Sequence, residues 1–288
     1  MINFLRYRLV CATFSVLFLG AGVAAYVYRG GFNYHIDFVG GTELQVSFEK
    51  PLSSSDLRNA LNEDGWKDPV IQSIGSANKQ FLIRVKQSDK SLEERFLKTA
   101  DKKLRGNTVT LDDVSWVGAE VGNDIKWDAF IAILFALLGM LAYIALRSQY
   151  RFAIGAVSAL VHDVLAVLVV LLLLNEQISL NVLAALLTTL GYSINDTIVI
   201  FSRIQENFTL LKTNTEEEIV NISINQTLRR TLLTSFTTFL AVLSLYLLGG
   251  EALKGFSLSM LVGIVAGTYS SIYIASPIML AIGSAQQR

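Results

Sequence analysis

Cysteine, histidine and proline are nearly absent from this sequence, which has one, two and three of them in 288 residues. The single cysteine, Cys11, excludes a disulfide within the chain, and its place in an apolar stretch favours a small packing residue over a reactive thiol. No spacing of cysteine, histidine and carboxylate residues is typical of a metal site. We therefore expect no metal, no other cofactor and no catalytic residue set.

Charged residues are also scarce, at 17% of the chain against about 25% in an average soluble domain, whereas 52% of the residues are hydrophobic. The 24 basic residues balance the 24 acidic ones, so no excess of positive charge favours nucleic acid as a partner. The composition predicts an integral membrane protein, which has lipid as the solvent for much of its surface.

Six apolar stretches approach the roughly 20 residues with which a helix crosses a bilayer. They are residues 9–28, 130–146, 152–174, 178–201, 232–248 and 256–282. The first follows Arg6 and Arg8, so it also fits a cleavable signal peptide with a cleavage site near residues 23–25. Because it is longer than the roughly 7 to 15 apolar residues of a signal peptide, an uncleaved first transmembrane helix is favoured.

A water-soluble domain is expected over residues 30–127, between residues 1–29 with the first span and residues 128–288 with spans two to six. Its sequence predicts strands at 32–38, 42–48, 70–74, 81–85 and 108–117, and helices at 51–62 and 91–104. Gly40 and Gly41 are expected to form the turn between the first two strands. After the first strand the order is βαββαβ, which predicts an inserted α+β ferredoxin-like domain and favours docking over catalysis.

The basic residues indicate an orientation in the membrane. If the N-terminus lies inside, the inward ends and short inward loops hold Arg6, Arg8, Arg147, Arg151, Arg203, Lys212, Arg229, Arg230 and Arg288. The two short outward loops hold only Lys254. The positive-inside rule therefore predicts that both termini are cytoplasmic and that residues 30–127 are exported to the far side.

A carboxylate interrupts the fourth apolar stretch at Asp196, next to Asn195. An ionised aspartate at the centre of a transmembrane helix costs about 2.5 to 3.5 kcal/mol, so such residues usually have a partner or a hydrated path. The expected partner is Arg230, which opens the fifth stretch at a similar depth, with Thr234 one helical turn further on.

Two interpretations of this pair remain open. Asp196 and Arg230 form either a static salt bridge between two helices or a switch, in which Asp196 takes up a proton from one side and releases it when Arg230 approaches. His162 and Asp163, near the middle of the third stretch, either extend a proton relay or make an ordinary helix–helix contact.

Several longer motifs carry a resemblance to a known family. They are Asp37-Phe38-Val39-Gly40-Gly41-Thr42, Val117-Gly118-Ala119-Glu120-Val121-Gly122, His162-Asp163-Val164, residues 191–207 from Gly191, Asn225-Gln226-Thr227-Leu228-Arg229-Arg230-Thr231 and Gly267-Thr268-Tyr269-Ser270-Ser271. On these motifs the chain resembles, almost from end to end, the SecF family of bacterial protein export. Ala119 departs from the family's usual proline and Ser202 from its frequent aspartate.

The resemblance implies a six-transmembrane RND-type half-bundle in the bacterial inner membrane, with the inserted domain in the periplasm. It also implies SecD as the partner in a SecDF complex, together with YajC, the SecYEG translocon and the translocating preprotein, and the proton motive force as the energy source. On this basis Asp196 matches the proton-path aspartate, and Arg230 and Thr234 match its partners. Apart from the resemblance, His162, Asp163 and Asn195 are further candidates because they lie within the apolar stretches. The alternatives are half of an RND-like solute or lipid exporter and a structural scaffold subunit.

Overall fold

The computed structural model describes residues 2–66, 69–74, 77–87, 91–104 and 106–286. Arg288, one of the basic residues counted above, lies outside the described residues, as does the side chain of Ala119. The chain divides into two compact units, Met1–Asn33 with Ile131–Arg288, and Tyr34–Phe130. The first unit is helical, and the second contains a sheet.

The elements follow one another along the chain in a simple order. They are a 3₁₀ turn (Leu5–Tyr7), α1 (Arg8–Arg29), α2 (Ile36–Val39), β1 (Gly41–Phe48), α3 (Ser54–Glu63), β2 (Val70–Ile74), β3 (Gln80–Val85), α4 (Leu92–Lys103), β4 (Val109–Val117), α5 (Ala119–Arg147), α6 (Tyr150–Leu174), α7 (Leu180–Leu210), α8 (Glu216–Leu248), α9 (Glu251–Ser270), a π-helical turn (Ser271–Ala275) and α10 (Ser276–Gln286).

Six helical segments in the described residues are long and apolar enough to cross a membrane, which confirms the six predicted spans. They consist of α1, α5, α6, α7, α8 and the joined helices α9 and α10. The fifth begins well before its predicted start at residue 232, because Thr215 and Glu218 form a capping box that opens α8 at Glu216. Hydropathy detects the lipid-spanning part of such a helix and misses its polar first turns.

Small residues bring α7 and α9 close together in the helical unit. A Cβ atom at Gly267 of α9 would lie 2.9 Å from the Cβ atom of Ser193 on α7, and one at Gly263 would collide with Thr189. Transmembrane helices commonly approach one another through such small residues. The two backbones therefore lie near enough for serine and threonine side chains to bond across the contact.

The second unit has the predicted ferredoxin-like topology. Its sheet has four strands in the order β2-β3-β1-β4, and each pair of neighbours is antiparallel. Apolar side chains alternate along β1, so that Leu44, Val46 and Phe48 are buried. They pack in one core with Leu57 and Phe96, from α3 and α4.

The strand predicted at residues 32–38 is wrong, because the chain there forms the short helix α2. The alternation of apolar residues suggested a strand, but His35 is the N-cap residue of a helical turn, and its ring lies 3.1 Å from the Asp37 carboxylate. The turn ends at Gly40, which has a φ of 73°. Gly40 and Gly41 therefore join a helix to β1, and a Cβ atom at Gly41 would lie 2.5 Å from the carbonyl oxygen of Val85.

Candidate functional site

Asp196 lies on α7 with 2% of its surface exposed, and its bonded neighbour is a serine on α8. The Ser235 hydroxyl lies 3.3 Å from Asp196 Oδ2 and 2.8 Å from the Thr268 hydroxyl on α9. Thr268 in turn donates to the carbonyl oxygen of Ile264 at 2.9 Å. A single carboxylate is thus linked through two hydroxyls to two other transmembrane helices.

Arg230 is exposed on α8, and in the described part of the chain it forms no ion pair with Asp196 within 4.0 Å. Its charge still acts on Asp196 from a greater distance. At about 100° per residue, Arg230 and Ser235 point about 140° apart around α8, so Arg230 shares a helix face with Thr234 instead. The static salt bridge, one of the two interpretations, is therefore not formed in this structure.

The other residues predicted near Asp196 also point elsewhere. The Thr234 hydroxyl donates to carbonyl oxygens of its own helix, those of Arg230 and Thr231, both at 3.0 Å. Asn195 is exposed on α7, and Gly191 has open space around the position of a Cβ atom. Hence the prediction found the carboxylate and missed the Ser235 hydroxyl that contacts it.

Asp163 forms a second buried carboxylate site, on α6. Its Oδ2 atom accepts hydrogen bonds from Ser193 of α7 at 2.6 Å and from Ser270 of α9 at 2.9 Å. The Nδ1 atom of His162 lies 3.3 Å from the other carboxylate oxygen. Three helices therefore meet at Asp163, and it has more bonded neighbours than Asp196.

The His162 ring also continues the polar contacts toward α1. It lies 5.8 Å from the ring of Tyr269, whose hydroxyl donates to the Cys11 carbonyl and lies 3.0 Å from the Ser15 hydroxyl. In the same unit, the hydroxyls of Thr197 and Ser271 are joined by a bond of 2.8 Å. Polar contacts thus link α1 with α9, and α7 with the π-helical turn.

Sequence reasoning missed Ser235 and Ser270 as partners of these carboxylates, and Thr268 and Ser271 as hydroxyls bonded to Ser235 and Thr197. The signal was present in part, because the last quoted motif contains three of these residues and Ser235 follows Thr231 at helical spacing. Within the described residues, no cluster of three or more histidine, cysteine and carboxylate side chains could hold a metal ion.

The motif residues of the inserted domain meet at the end of α2. A Cβ atom at Gly122, on the first turns of α5, would lie 2.9 Å from the Gly40 amide nitrogen and 3.0 Å from the Phe38 carbonyl carbon. Beside this contact, His35 lies 3.1 Å from Asp37 and 3.0 Å from Glu43. Two motifs far apart in the sequence therefore pack against each other.

The His35 site carries a shifted protonation equilibrium. Burial lowers the pKa of the ring, but hydrogen bonds and charges from Asp37 and Glu43 outweigh it and raise the pKa to about 9. Burial raises the pKa of Glu43, but the His35 and Arg84 bonds outweigh it and leave that pKa below its ordinary value. The ring is therefore an imidazolium at neutral pH, held between carboxylates.

Two family models match the chain. Residues 97–285 match the model described as "Protein export membrane protein SecD/SecF, C-terminal", and residues 30–52 match "SecD/SecF GG Motif". The chain belongs to the SecD/SecF family. The second match includes the Gly40-Gly41 segment that joins α2 to β1, and the first includes both buried carboxylates.

Proteins named as SecF subunits resemble the chain over nearly its whole length. The "Protein translocase subunit SecF" of Thermodesulfovibrio yellowstonii is 38% identical over 98% of this chain and 95% of its own. The protein of the same name from Vibrio alginolyticus is 39% identical over 98% of this chain and 90% of its own.

A solved structure supports the same relationship. The crystal structure of SecDF from Thermus thermophilus, described as a translocon-associated membrane protein, is 35% identical and superposes with a TM-score of 0.88. It covers 98% of this chain, whereas this chain spans only 39% of the longer SecDF chain. The SecD/SecF family thus accounts for both the sequence motifs and the fold.

Proposed function

We propose that the chain acts as a SecF-like subunit of the Sec translocase accessory complex and helps proton-motive-force-driven translocation and release of preproteins. The family match over most of the chain and the relatives named protein translocase subunit SecF support the export role. The resemblance to a SecDF chain supports SecD as the partner. We include YajC, SecYEG and the preprotein as further partners in the proposal.

The proposed orientation follows the distribution of basic residues. Both termini lie in the cytoplasm, and residues 30–127 lie in the periplasm of a cell with a bacterial inner membrane. Asp196 then lies in the cytoplasmic half of α7, and α8 rises from the cytoplasm past Arg230 and Ser235. A proton that reaches Asp196 from the periplasm has therefore crossed most of the membrane.

The observation that carries the proposed mechanism is the isolation of Asp196. Within the described residues it is buried, with one hydroxyl at hydrogen-bond distance, and Arg230, its expected counter-ion, lies beyond ion-pair distance. An ionised aspartate in this position is unfavourable by about 2.5 to 3.5 kcal/mol. Either a proton or the approach of Arg230 removes that penalty, so the two alternatives define two states of α7 and α8.

Proton flow can drive the exchange between these states. One elementary charge that moves through 100 mV releases about 2.3 kcal/mol, which is similar to the penalty for the isolated carboxylate. In the proposed cycle Asp196 binds a proton while Arg230 points away, and it releases the proton when Arg230 turns toward it. Thr234 moves with Arg230, because the two share a face of α8.

Asp163, His162 and Asn195 take supporting roles in the proposal. Asp163 fixes α6, α7 and α9 through its hydrogen bonds, so that α8 can move against a stable group. His162 orients the carboxylate from the same helix. Asn195 is exposed beside Asp196, on a surface suited to a polar residue of SecD.

The test uses Asp196→Asn and Arg230→Ala, with Glu206→Gln as the matched control on an exposed part of α7. Each variant is expressed with SecD, and two quantities are measured: the membrane level of the complex, and release of a secreted reporter with and without a proton gradient. We expect normal assembly and loss of the gradient-dependent release for the first two variants, and no change for the control.

Other outcomes distinguish the alternative functions. If Asp196→Asn assembles and keeps the gradient-dependent release, the carboxylate is structural and the chain is a scaffold subunit. If the chain purifies without SecD or SecYEG, and its loss impairs efflux of a solute or lipid instead, the exporter alternative is correct.

A further inference from the structure

A chain of hydroxyl groups leads from Asp196 to the backbone of α9. It has three contacts: Asp196 to Ser235 at 3.3 Å, Ser235 to Thr268 at 2.8 Å, and Thr268 to the Ile264 carbonyl at 2.9 Å. Ser235 is 7% exposed, so water has little access to the middle of the chain. The contacts link α7, α8 and α9 in sequence.

The number of protons in this chain of hydroxyl groups depends on whether Asp196 is ionised or protonated. A hydroxyl has one proton and donates one hydrogen bond, while a carboxylate donates none. When Asp196 is ionised, two protons are available for three contacts. The carboxylate is the strongest acceptor, so Ser235 donates to it and Thr268 donates to Ser235. No proton then remains for the contact between Thr268 and Ile264.

When Asp196 carries a proton, the count is complete. The carboxyl group donates to Ser235, Ser235 donates to Thr268, and Thr268 donates to the Ile264 carbonyl. All three contacts are then hydrogen bonds, and each hydroxyl has turned relative to the ionised state. The number of protons increases by one, at Asp196, and no covalent bond other than that O–H bond changes.

We propose that Ser235 and Thr268 are positioning residues that transmit the protonation of Asp196 to α9 by reversing the direction of this hydroxyl chain. The inference rests on the proposed function, since it takes Asp196 as the proton-binding group. Its consequence is that α9 bonds differently in the two states, with Thr268 directed to its own backbone in one and to α8 in the other.

The groups around the hydroxyl chain favour Asp196 as the one that sets the direction in which its hydroxyls donate. Arg230 is a charged side chain of α8 that acts on Asp196, and in the part of the protein that the structure describes it makes no hydrogen bond to Ser235 or Thr268. Asp163 of α6 is bonded to Ser193 and Ser270 rather than to Ser235 or Thr268. The direction therefore changes with the proton on Asp196.

The test is infrared difference spectroscopy of the full chain with SecD in lipid nanodiscs, during a change of pH. Asp196→Asn identifies the carboxylic-acid C=O band of Asp196 by its loss. Thr268→Val keeps the side-chain shape and removes the hydroxyl, Thr268→Ser keeps the hydroxyl, and Ser259→Ala removes another buried hydroxyl of α9, one that donates to its own helix. We expect the band to move to higher frequency in Thr268→Val and to stay in place in the other two.

Ser235→Ala interrupts the chain at its first link and provides the second measurement. It should shift the Asp196 band further than Thr268→Val does, and the double variant should show no more than the Ser235→Ala shift, because the link to Thr268 is already broken. Gradient-dependent release should fall about two- to tenfold in Thr268→Val, because the loss of one hydrogen bond changes an equilibrium by about that factor. It should recover in Thr268→Ser, which keeps the hydroxyl.

The possible failures are separate. If the Asp196 band exists but does not move in Thr268→Val, or if the Ser235 and Thr268 shifts simply add, the hydroxyl chain does not transmit protonation and this inference is wrong. If Asp196→Asn removes no band at any pH, Asp196 does not bind a proton, and the proposed function itself fails. If Thr268→Val fails to assemble with SecD, Ser235→Ala alone decides, and an unshifted band refutes the inference.

Discussion

The stability of the inserted domain should fall as the pH rises through about 9, because the charge of His35 helps to hold the domain together. The imidazolium lies between Asp37 and Glu43, and Glu43 also pairs with Arg84 of β3. The pKa of His35 is raised from 6.5 to about 9 in the folded chain. A group with a raised folded pKa stabilises the fold fully below its unfolded pKa, near 6.5, and loses that contribution through its folded pKa, near 9.

The size of the effect follows from the shift. A difference of about 2.5 pKa units corresponds to about 3 kcal/mol. The side chain is 17% exposed, so solvent screens part of the interaction, and we expect about 1 to 2 kcal/mol. That is a measurable fraction of the stability of a domain of this size.

The assay uses the intrinsic fluorescence of the full chain in detergent. All three tryptophans, Trp66, Trp116 and Trp127, lie in the unit Tyr34–Phe130, so urea unfolding followed by tryptophan fluorescence reports mainly on that unit. The wild type and His35→Gln are compared at pH 6, 7.5 and 9.5. The free energy of unfolding of the wild type should decrease over this range, with most of the loss above pH 7.5, and His35→Gln should show a flatter profile.

The prediction concerns the difference between the pH profiles of the wild type and His35→Gln. Titrating lysines and tyrosines change stability in alkali in both proteins, so only the difference between the two profiles counts. If wild type and His35→Gln lose stability in parallel between pH 6 and 9.5, His35 is not the group responsible, and its carboxylate contacts contribute nothing to the fold.

Three further changes test the packing of the membrane helices and the start of α8. Gly267→Val should lower the thermal stability of the solubilised complex, because even a Cβ atom there lies 2.9 Å from Ser193, whereas Gly20→Ala, in open space, should not. Asp163→Asn should destabilise the complex by about 1 to 3 kcal/mol, because an amide group replaces one of the two oxygens that accept from Ser193, Ser270 and His162. The loss is measured by size-exclusion chromatography after heating, and an unchanged melting temperature would contradict the role of Asp163 in holding three helices. Thr215→Ala removes the capping box of α8 and should cost about 0.5 to 2 kcal/mol, while Thr215→Ser should keep most of it; equal losses in both would refute the capping role.

The sequence predicted the spans well, because each is decided by the free energy of moving a helix from water into lipid. That quantity is a sum over neighbours in the sequence, and it needs no knowledge of the fold. The ferredoxin-like order was predictable for the same reason, since alternation and capping residues are local signals. The segment at residues 32–38 misled because its apolar alternation competes with a short helix that begins after His35, whose ring pairs with Asp37.

The partners of Asp196 could not be predicted in the same way. The positions of α7, α8 and α9 around their own axes decide whether Arg230 or Ser235 points at the carboxylate, and a rotation of α8 by about 140° exchanges them. Serine and threonine are also ordinary residues of transmembrane helices, where most of their hydroxyls bond to their own backbone, as that of Thr234 does. Their role appears only when the neighbouring helix is in place.

The π-helical turn at Ser271–Ala275 sets the helical phase of everything that follows it. The wider turn contains one residue more than a regular helix would, and the Ser276 hydroxyl donates to the Ser271 carbonyl across it, at 3.0 Å. If the same residues formed an unbroken regular helix instead, α10 would be rotated by about 100°. Met279, now in the core beside Gly155, would then turn away from it.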